Sequence, residues 1–286
     1  MIRPRERPAR PRRRRVRMRP IGGLSINRMI PNMLTLLALC AGMTAIRFAI
    51  VGKFEQGVSA ILIAAVLDGL DGRIARLLKS TSSFGAQLDS LADFISFGVA
   101  PAVLLYVWTM QAVGSLGWAV ACLFAVCMAL RLARFNTQLG LPDPPPYAYN
   151  FFTGVPAPAA AGVSLIPVVA SFEFGDTFFH SPYLVAATTA LTAGLMVSRV
   201  PTFSFKRFRV PHNWVVPMML AIGAFAAFLA AEPWETLLVA GLLYLGLIPL
   251  SIRSFRRLKH AAEEIRAARG EGATMLRAVD GNGPQA

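Results

Sequence analysis

An all-α fold, a polytopic integral membrane bundle of about eight transmembrane helices, is what this sequence predicts, and three observations carry the prediction. The chain is 55% hydrophobic and only 15% charged, where soluble domains hold roughly a quarter charged residues, and its mean hydropathy is +0.53. Apolar runs recur at 30–51, 55–67, 94–113, 116–130, 153–171, 183–198, 214–231 and 236–252, several of them reaching the roughly 20 residues that span a bilayer core. Of the 29 Lys and Arg residues, all but Arg47 and Lys53 fall in segments on one side of the membrane if eight spans are counted. Open sheets are excluded, because lipid offers no partner to a sheet edge. A soluble all-α core is the alternative, and the composition weighs against it.

The elements follow in order. Residues 1–29 begin "MIRPRERPARPRRRRVRMRP", an Arg/Pro-rich stretch that cannot bury a core and reads as a disordered cytoplasmic tail. Its role is topology and attraction to anionic lipid heads; nucleic-acid binding is not expected, and no A-x-A-like site marks a cleaved signal peptide. The region 30–252 is one transmembrane domain. Its inner segments are the turn near 69–84 and the loops near 131–152 and 199–213. They share the basic residues with the tail and with 253–286, so the positive-inside rule puts both termini in the cytoplasm and the protein in the cell (inner) membrane. Residues 253–286 read as a short amphipathic cytoplasmic helix that frays into a polar tail. The three cysteines lie inside apolar runs without metal-ligand spacing, as packing residues. The histidines are scattered and form no constellation.

One stretch breaks the apolar pattern. "LDGLDGRIARLLKSTSSFGAQLDSLADF", residues 67–94, holds Asp68, Asp71, Asp89 and Asp93. At 3.6 residues per turn Asp68, Asp71 and Ala75 share a face of helix 2, with Gly72 and Arg76 alongside. Asp89 and Asp93 share a face of helix 3, and the turn between reverses the chain. All four carboxylates can therefore enter one polar cavity at the cytoplasmic side. Carboxylates so crowded need cations, and hard oxygen donors suit Mg²⁺ or Mn²⁺. Paired metals of this kind clamp a phosphoryl group. Gly72, Ala75 and Gly85 remove bulk beside the carboxylates, while Arg76 and Lys79 add charge for phosphate oxygens. Taken singly, the glycines can be helix-packing residues and the arginines can snorkel; four intramembrane carboxylates together point to function.

The spacing Asp68-x2-Asp71-Gly72-x2-Ala75-Arg76-x8-Gly85-x3-Asp89-x3-Asp93 resembles the motif of the CDP-alcohol phosphotransferase family at every position. The resemblance implies a membrane enzyme that displaces CMP from a CDP-linked lipid or alcohol, acting as a homodimer. It implies that Asp68, Asp71 and Asp89 are ligands of a two-ion metal site, with Asp93 a further ligand and the general base. It implies too that Asp68, Gly72, Ala75, Arg76 and Gly85 bind the cytidine diphosphate end of the lipid. "IPNMLTLLALCAG" (30–42) looks like the family's entry to helix 1, where Asn32 can bond the nucleotide or simply cap a helix end.

The acceptor is read from other segments. "LRLARFN" (130–136) puts Arg131 and Arg134 three apart at the depth of the aspartates. Either can hold the carboxylate of a zwitterionic alcohol, or both can merely set topology. Followed by "FFTGVPAPAAAG" (151–162), which reads as a broken helix start, this segment resembles the phosphatidylserine synthase branch of the family. The resemblance covers roughly 30–165 and implies CDP-diacylglycerol as donor and L-serine as acceptor. Glycerol phosphate, inositol phosphate or choline are rival acceptors, but no dense basic cluster or aromatic cage stands out for them. A membrane ion or metal transporter is the rival of another class. It is disfavoured because the carboxylates sit at one membrane end with no polar path beyond.

Overall fold

Runs of Leu, Ile, Val and Ala without a water-facing polar stripe can satisfy their backbone only as helices, and every one of the eight apolar runs lies in helical structure. The structure is a computed structural model that describes residues 26–80, 82–138, 151–203 and 214–280. The Arg-rich tail up to residue 25, Thr81, and most of the two longer loops lie outside the described residues. Helix α1 (Ile26–Ile50) turns at Gly52, whose φ of +79° suits glycine, into α2 (Phe54–Leu77). A second rod is built from α3 (Ser83–Asp93), a π-helical turn (Phe94–Val99) and α4 (Ala100–Trp108). Then come α5 (Ser115–Gln138), α6 (Ala157–Ser164), α7 (Ile166–Phe174) and the short α8 (Asp176–Phe179). The chain ends in α9 (Pro182–Val197), α10 (Val215–Ala231) and α11 (Pro233–Asp280).

Four stretches, Met29–Ile50, Ser83–Trp108, Ser115–Thr137 and Pro233–Leu258, are long and apolar enough to cross a membrane, and α6 with α7 makes a fifth, bent by 41°. The bend sits where Pro167 opens α7, since proline removes a hydrogen bond and crowds the preceding turn. Helices α9 and α10 are shorter, at 16 and 17 residues. Helix α2 is long, but its last third carries Asp68, Asp71, Arg73 and Arg76. The fold is thus a helical membrane bundle in which the charged end of α2 stands apart.

Small residues set how closely the rods approach. Ala45 and Ala49 on α1 and Ala60 and Ala64 on α2 are buried at i, i+4 spacing, so the two backbones lie close along their length. A Cβ on Gly42 would reach within 2.8 Å of the Ser96 Cα, so only glycine lets the π-turn press against α1. There Ser96 Oγ donates to the carbonyl of Ala38 at 3.2 Å. Behind this seam the largest side chains, Phe97, Leu104, Leu105, Phe124 and Met128, are fully buried and hold the second rod to α5. On the other side of the molecule Met219, Leu220 and Ile222 of α10 stand exposed, which suits a lipid-facing surface.

Two features depart from the sequence reading. The chain before α6 is a strand, β1 (Phe151–Thr153), paired antiparallel with β2 (Pro201–Phe203) so that Phe151 faces Phe203 and Thr153 faces Pro201. A three-residue ladder between distant segments leaves no periodic trace in the sequence. Residues beyond 252 continue α11 without a break through Pro249 to Asp280, a single helix of about 72 Å at 1.5 Å per residue. The cysteines are unpaired, and the ring of His180 packs edge-on against Trp108 at 4.7 Å.

Candidate active site

The site begins between the second and third turns of α1. Thr35 is buried, and its hydroxyl reaches both the carbonyl of Pro31 at 3.1 Å and Asp71 Oδ2 at 2.6 Å. A buried carboxylate is costly unless hydrogen-bonded, and this contact from the neighbouring helix fixes the rotamer of Asp71, which is only 4% exposed. Asn32 sits on the same end of α1, half-buried. Its Oδ1 approaches Gly85 so closely that a Cβ there would lie at 3.0 Å. Gly85 is therefore needed for packing as well as for space.

At its C-terminal end α2 closes with a paired capping turn. Ser80 N–H returns to Ala75 O at 3.0 Å and Lys79 N–H to Arg76 O at 3.2 Å, the six-to-one and five-to-two bonds of a Schellman motif. Lys79 occupies the left-handed position, at φ 49°, which costs a non-glycine residue on the order of 1 kcal/mol. That turn folds Ser80 back into a buried position beside the carboxylates. Ser82 then caps α3, accepting from the Gly85 N–H at 3.0 Å, as an N-cap serine should. Arg76 is exposed, with Nε donating to Gly72 O at 3.0 Å, which leaves its terminal nitrogens free to point outward.

These pieces enclose a cleft of about 180 Å³ whose walls include Asn32, Asp71, Gly72, Ala75, Gly85 and Asp89. Nothing lies within 4 Å of where a Cβ of Gly72 would stand, so the floor there is open to a ligand. Asp68, Asp71 and Asp89 each offer an oxygen, all within 4.8 Å of one another. Oxygens that share a cation with bonds of about 2.0–2.6 Å stand roughly 4–5 Å apart when opposed. The all-oxygen donor set thus fits a hard divalent cation in both chemistry and spacing. Asp93 is outside that trio, but Asp68 lies within side-chain hydrogen-bonding range of both Asp89 and Asp93. Four negative groups on two helices are joined in this way.

The two arginines of α5 part company. Arg131 is half-buried and within electrostatic reach of Asp93. Arg134 instead donates from one terminal nitrogen to the carbonyl of Val197 at 3.0 Å, tying α5 to the end of α9. Sequence reasoning assigned no role to the residues that hold this frame. Thr35 stands in the sequence only as part of an entry to helix 1 that resembles the family's, with no partner assigned to it. Asn136 was equally silent, yet its Nδ2 donates to Ser90 Oγ at 2.9 Å and so pins α3 to α5. The only signal was position, each being a polar residue within a turn of a motif residue.

Comparison with known proteins bears on this geometry. A family model described as CDP-alcohol phosphatidyltransferase matches residues 28–198, and a second, CDP-alcohol phosphatidyltransferase 2, matches 213–249. A CDP-diacylglycerol–serine O-phosphatidyltransferase of Mycobacterium bovis is 38% identical over 247 residues, covering 86% of this chain and 86% of the relative. The protein of the same description from Helicobacter pylori is 35% identical over 217 residues, with coverages of 76% and 88%. An archaetidylserine synthase of Methanothermobacter thermautotrophicus is 33% identical over 173 residues, 60% of this chain and 68% of its own.

Proposed function

This chain belongs to the CDP-alcohol phosphatidyltransferase family, and from that premise we propose that it transfers the phosphatidyl group of CDP-diacylglycerol to the hydroxyl of L-serine. The products are phosphatidylserine and CMP, which makes it a transferase of phospholipid biosynthesis. The observation that carries the reading is the trio Asp68, Asp71 and Asp89 within 4.8 Å, set on a cleft with room beside Gly72. Relatives named for a serine acceptor recur even where the lipid differs, as in the archaetidylserine synthase, and this supports serine over other alcohols.

Asp68, Asp71 and Asp89 would hold Mg²⁺ or Mn²⁺, two ions with Asp93 as a further ligand. Metal bound there supplies positive charge to the diphosphate and to the oxygen that leaves with CMP. The chain's own residues do the rest. Asp93 accepts the proton of the serine hydroxyl as its oxygen bonds to the phosphorus bearing diacylglycerol, and the bridging P–O bond to CMP breaks. Asn32, Ala75 and Gly85 line the nucleotide end, Gly72 admits it close to the backbone, and Arg76 turns its terminal nitrogens to phosphate oxygens. Arg131, beside Asp93, is better placed than Arg134 to meet the serine carboxylate. The arrangement proposed for the whole is eight spanning helices in the inner membrane as a homodimer. Both termini and the mouth of the cleft then face the cytoplasm, where serine and CMP reside, while the acyl chains stay in lipid.

The test is CMP release by purified protein given CDP-diacylglycerol and a panel of alcohols. Release with serine, abolished by excess EDTA and restored by Mg²⁺ or Mn²⁺, is the expected outcome. Preference for glycerol phosphate, inositol phosphate or choline would reassign the acceptor, and turnover that persists in EDTA would remove the metal site.

A further inference from the structure

Helix α11 presents Tyr244, Ile248 and Ser251 along one face, at the i, i+4, i+7 spacing that lines up on a helix. Ile248 and Ser251 are buried and Tyr244 is mostly so. Both hydroxyls, Tyr244 Oη and Ser251 Oγ, are sealed from solvent without a hydrogen-bond partner among the described residues. Such groups destabilise a fold, and in native structures an orphan of this kind usually marks a place where something else binds. Tyr244 is the more telling of the two because of its neighbours. The Thr202 hydroxyl of β2 lies beside it; its hydrogen goes to the carbonyl of Gly154 at 2.8 Å, and no contact between Thr202 and Tyr244 meets hydrogen-bond geometry. Arg131 of α5 lies within electrostatic reach of both Tyr244 and Asp93. Unlike Arg134, Arg131 forms no hydrogen bond or ion pair with the described residues. Two donors, a guanidinium on α5 and a phenol on α11, therefore lie within electrostatic reach of each other, and the guanidinium within reach of the general base proposed above.

A pair of donors without an acceptor asks for an anion or a carbonyl oxygen. The zwitterionic alcohol of the reaction brings one: its carboxylate is three bonds from its hydroxyl oxygen. We propose that Tyr244 is a specificity-determining residue whose hydroxyl, together with the Arg131 guanidinium, binds the carboxylate of the acceptor. The inference rests on the serine reading and deepens it. It assigns to the C-terminal helix, distant in sequence from the aspartate motif, the recognition of the group that separates serine from a simple amino alcohol. The strand pair has a part in this, because β2 carries Thr202 and backs Tyr244 at the level of the site.

Tyr244→Phe removes one oxygen that has no partner in the fold, so thermal stability should hold or rise slightly. With CDP-diacylglycerol saturating, the KM for serine is expected to rise about tenfold, as for a lost hydrogen bond to a charged group. The KM for CDP-diacylglycerol should stay within twofold. The preference of the wild type for serine over ethanolamine, which lacks the carboxylate, should narrow by a similar factor, and Arg131→Lys should narrow it further. An unchanged KM for serine in Tyr244→Phe would overturn the proposal and leave the hydroxyl a buried structural group. A shift in both KM values together with a lower melting temperature would overturn it as well, as the mark of a packing role. Wild-type protein with no serine-dependent CMP release would reject the serine reading itself, an outcome distinct from an active wild type that Tyr244→Phe leaves untouched.

Discussion

The hairpin of α2 and α3 and the hairpin of α10 and α11 both sit in an apolar bundle, yet they treat polar atoms in opposite ways. In the first, polar groups are tied down: Thr35 to Asp71, Ser82 to Gly85, Arg76 to Gly72, Ser90 to Asn136. In the second, α10 buries none of its residues, and the inward face of α11 holds two hydroxyls with no partner. Charge in an apolar setting is so costly that its geometry must be fixed by many contacts. A hydroxyl is cheap enough to be left waiting. A tightly tied region announces chemistry, whereas an untied polar atom announces a ligand.

Substitutions can break that contrast or sharpen it. The largest effect is expected at the carboxylates: Asp71→Asn or Asp89→Asn should abolish CMP release while expression and membrane insertion persist, read by activity and by yield in detergent. Measurable turnover in both would mean that the trio is not the metal site. Next comes Thr35→Val, which keeps shape but removes the hydrogen bond that orients Asp71. Groups that orient metal ligands typically matter by about 10–100-fold, and the fall should appear as a higher Mg²⁺ requirement. Thr35→Ser should restore most of it. Gly85→Ala places a methyl at 3.0 Å from Asn32 Oδ1. It should raise the KM for CDP-diacylglycerol severalfold and leave that for serine near wild type. At the bottom of the scale, Met219→Leu on the exposed face of α10 should change turnover by less than about twofold, since volume-conserving swaps are tolerated. A large loss there would show that α10 packs against protein rather than lipid.

The same contrast explains what could be read from the sequence. The aspartates were legible because nothing but function keeps four carboxylates in a hydrophobic chain. The helical, apolar character was legible because lipid favours it, whereas of the eight runs expected to span only four, or five with the bent pair, are long and apolar enough among the described residues. The break between Ser164 and Ile166 was foreshadowed by the prolines around it, if not its place. Lys79 in a left-handed turn gave no warning, because glycine is the usual occupant. The β1–β2 ladder and the surroundings of Tyr244 were invisible, and the contacts of Thr35 and Asn136 unreadable, for a common reason. Each depends on a partner 35 or more residues away, and neither periodicity nor composition encodes such pairings.

One further consequence belongs to the π-turn that follows Asp93. An α-helix turns about 100° per residue, and a π-turn holds one residue more than an α-turn. The carboxylate half of the rod, at Asp89 and Asp93, is therefore out of phase with the half that carries Leu104 and Leu105 by roughly that angle. The extra residue works as a phase shifter: it lets one end face the aspartate cluster while the other keeps its packing, with no loop between them. Deleting a single residue between Phe94 and Val99 would restore a regular helix and lock the two ends in step. Either the carboxylates would then swing away from the cleft, or Leu104 and Leu105 would leave the core.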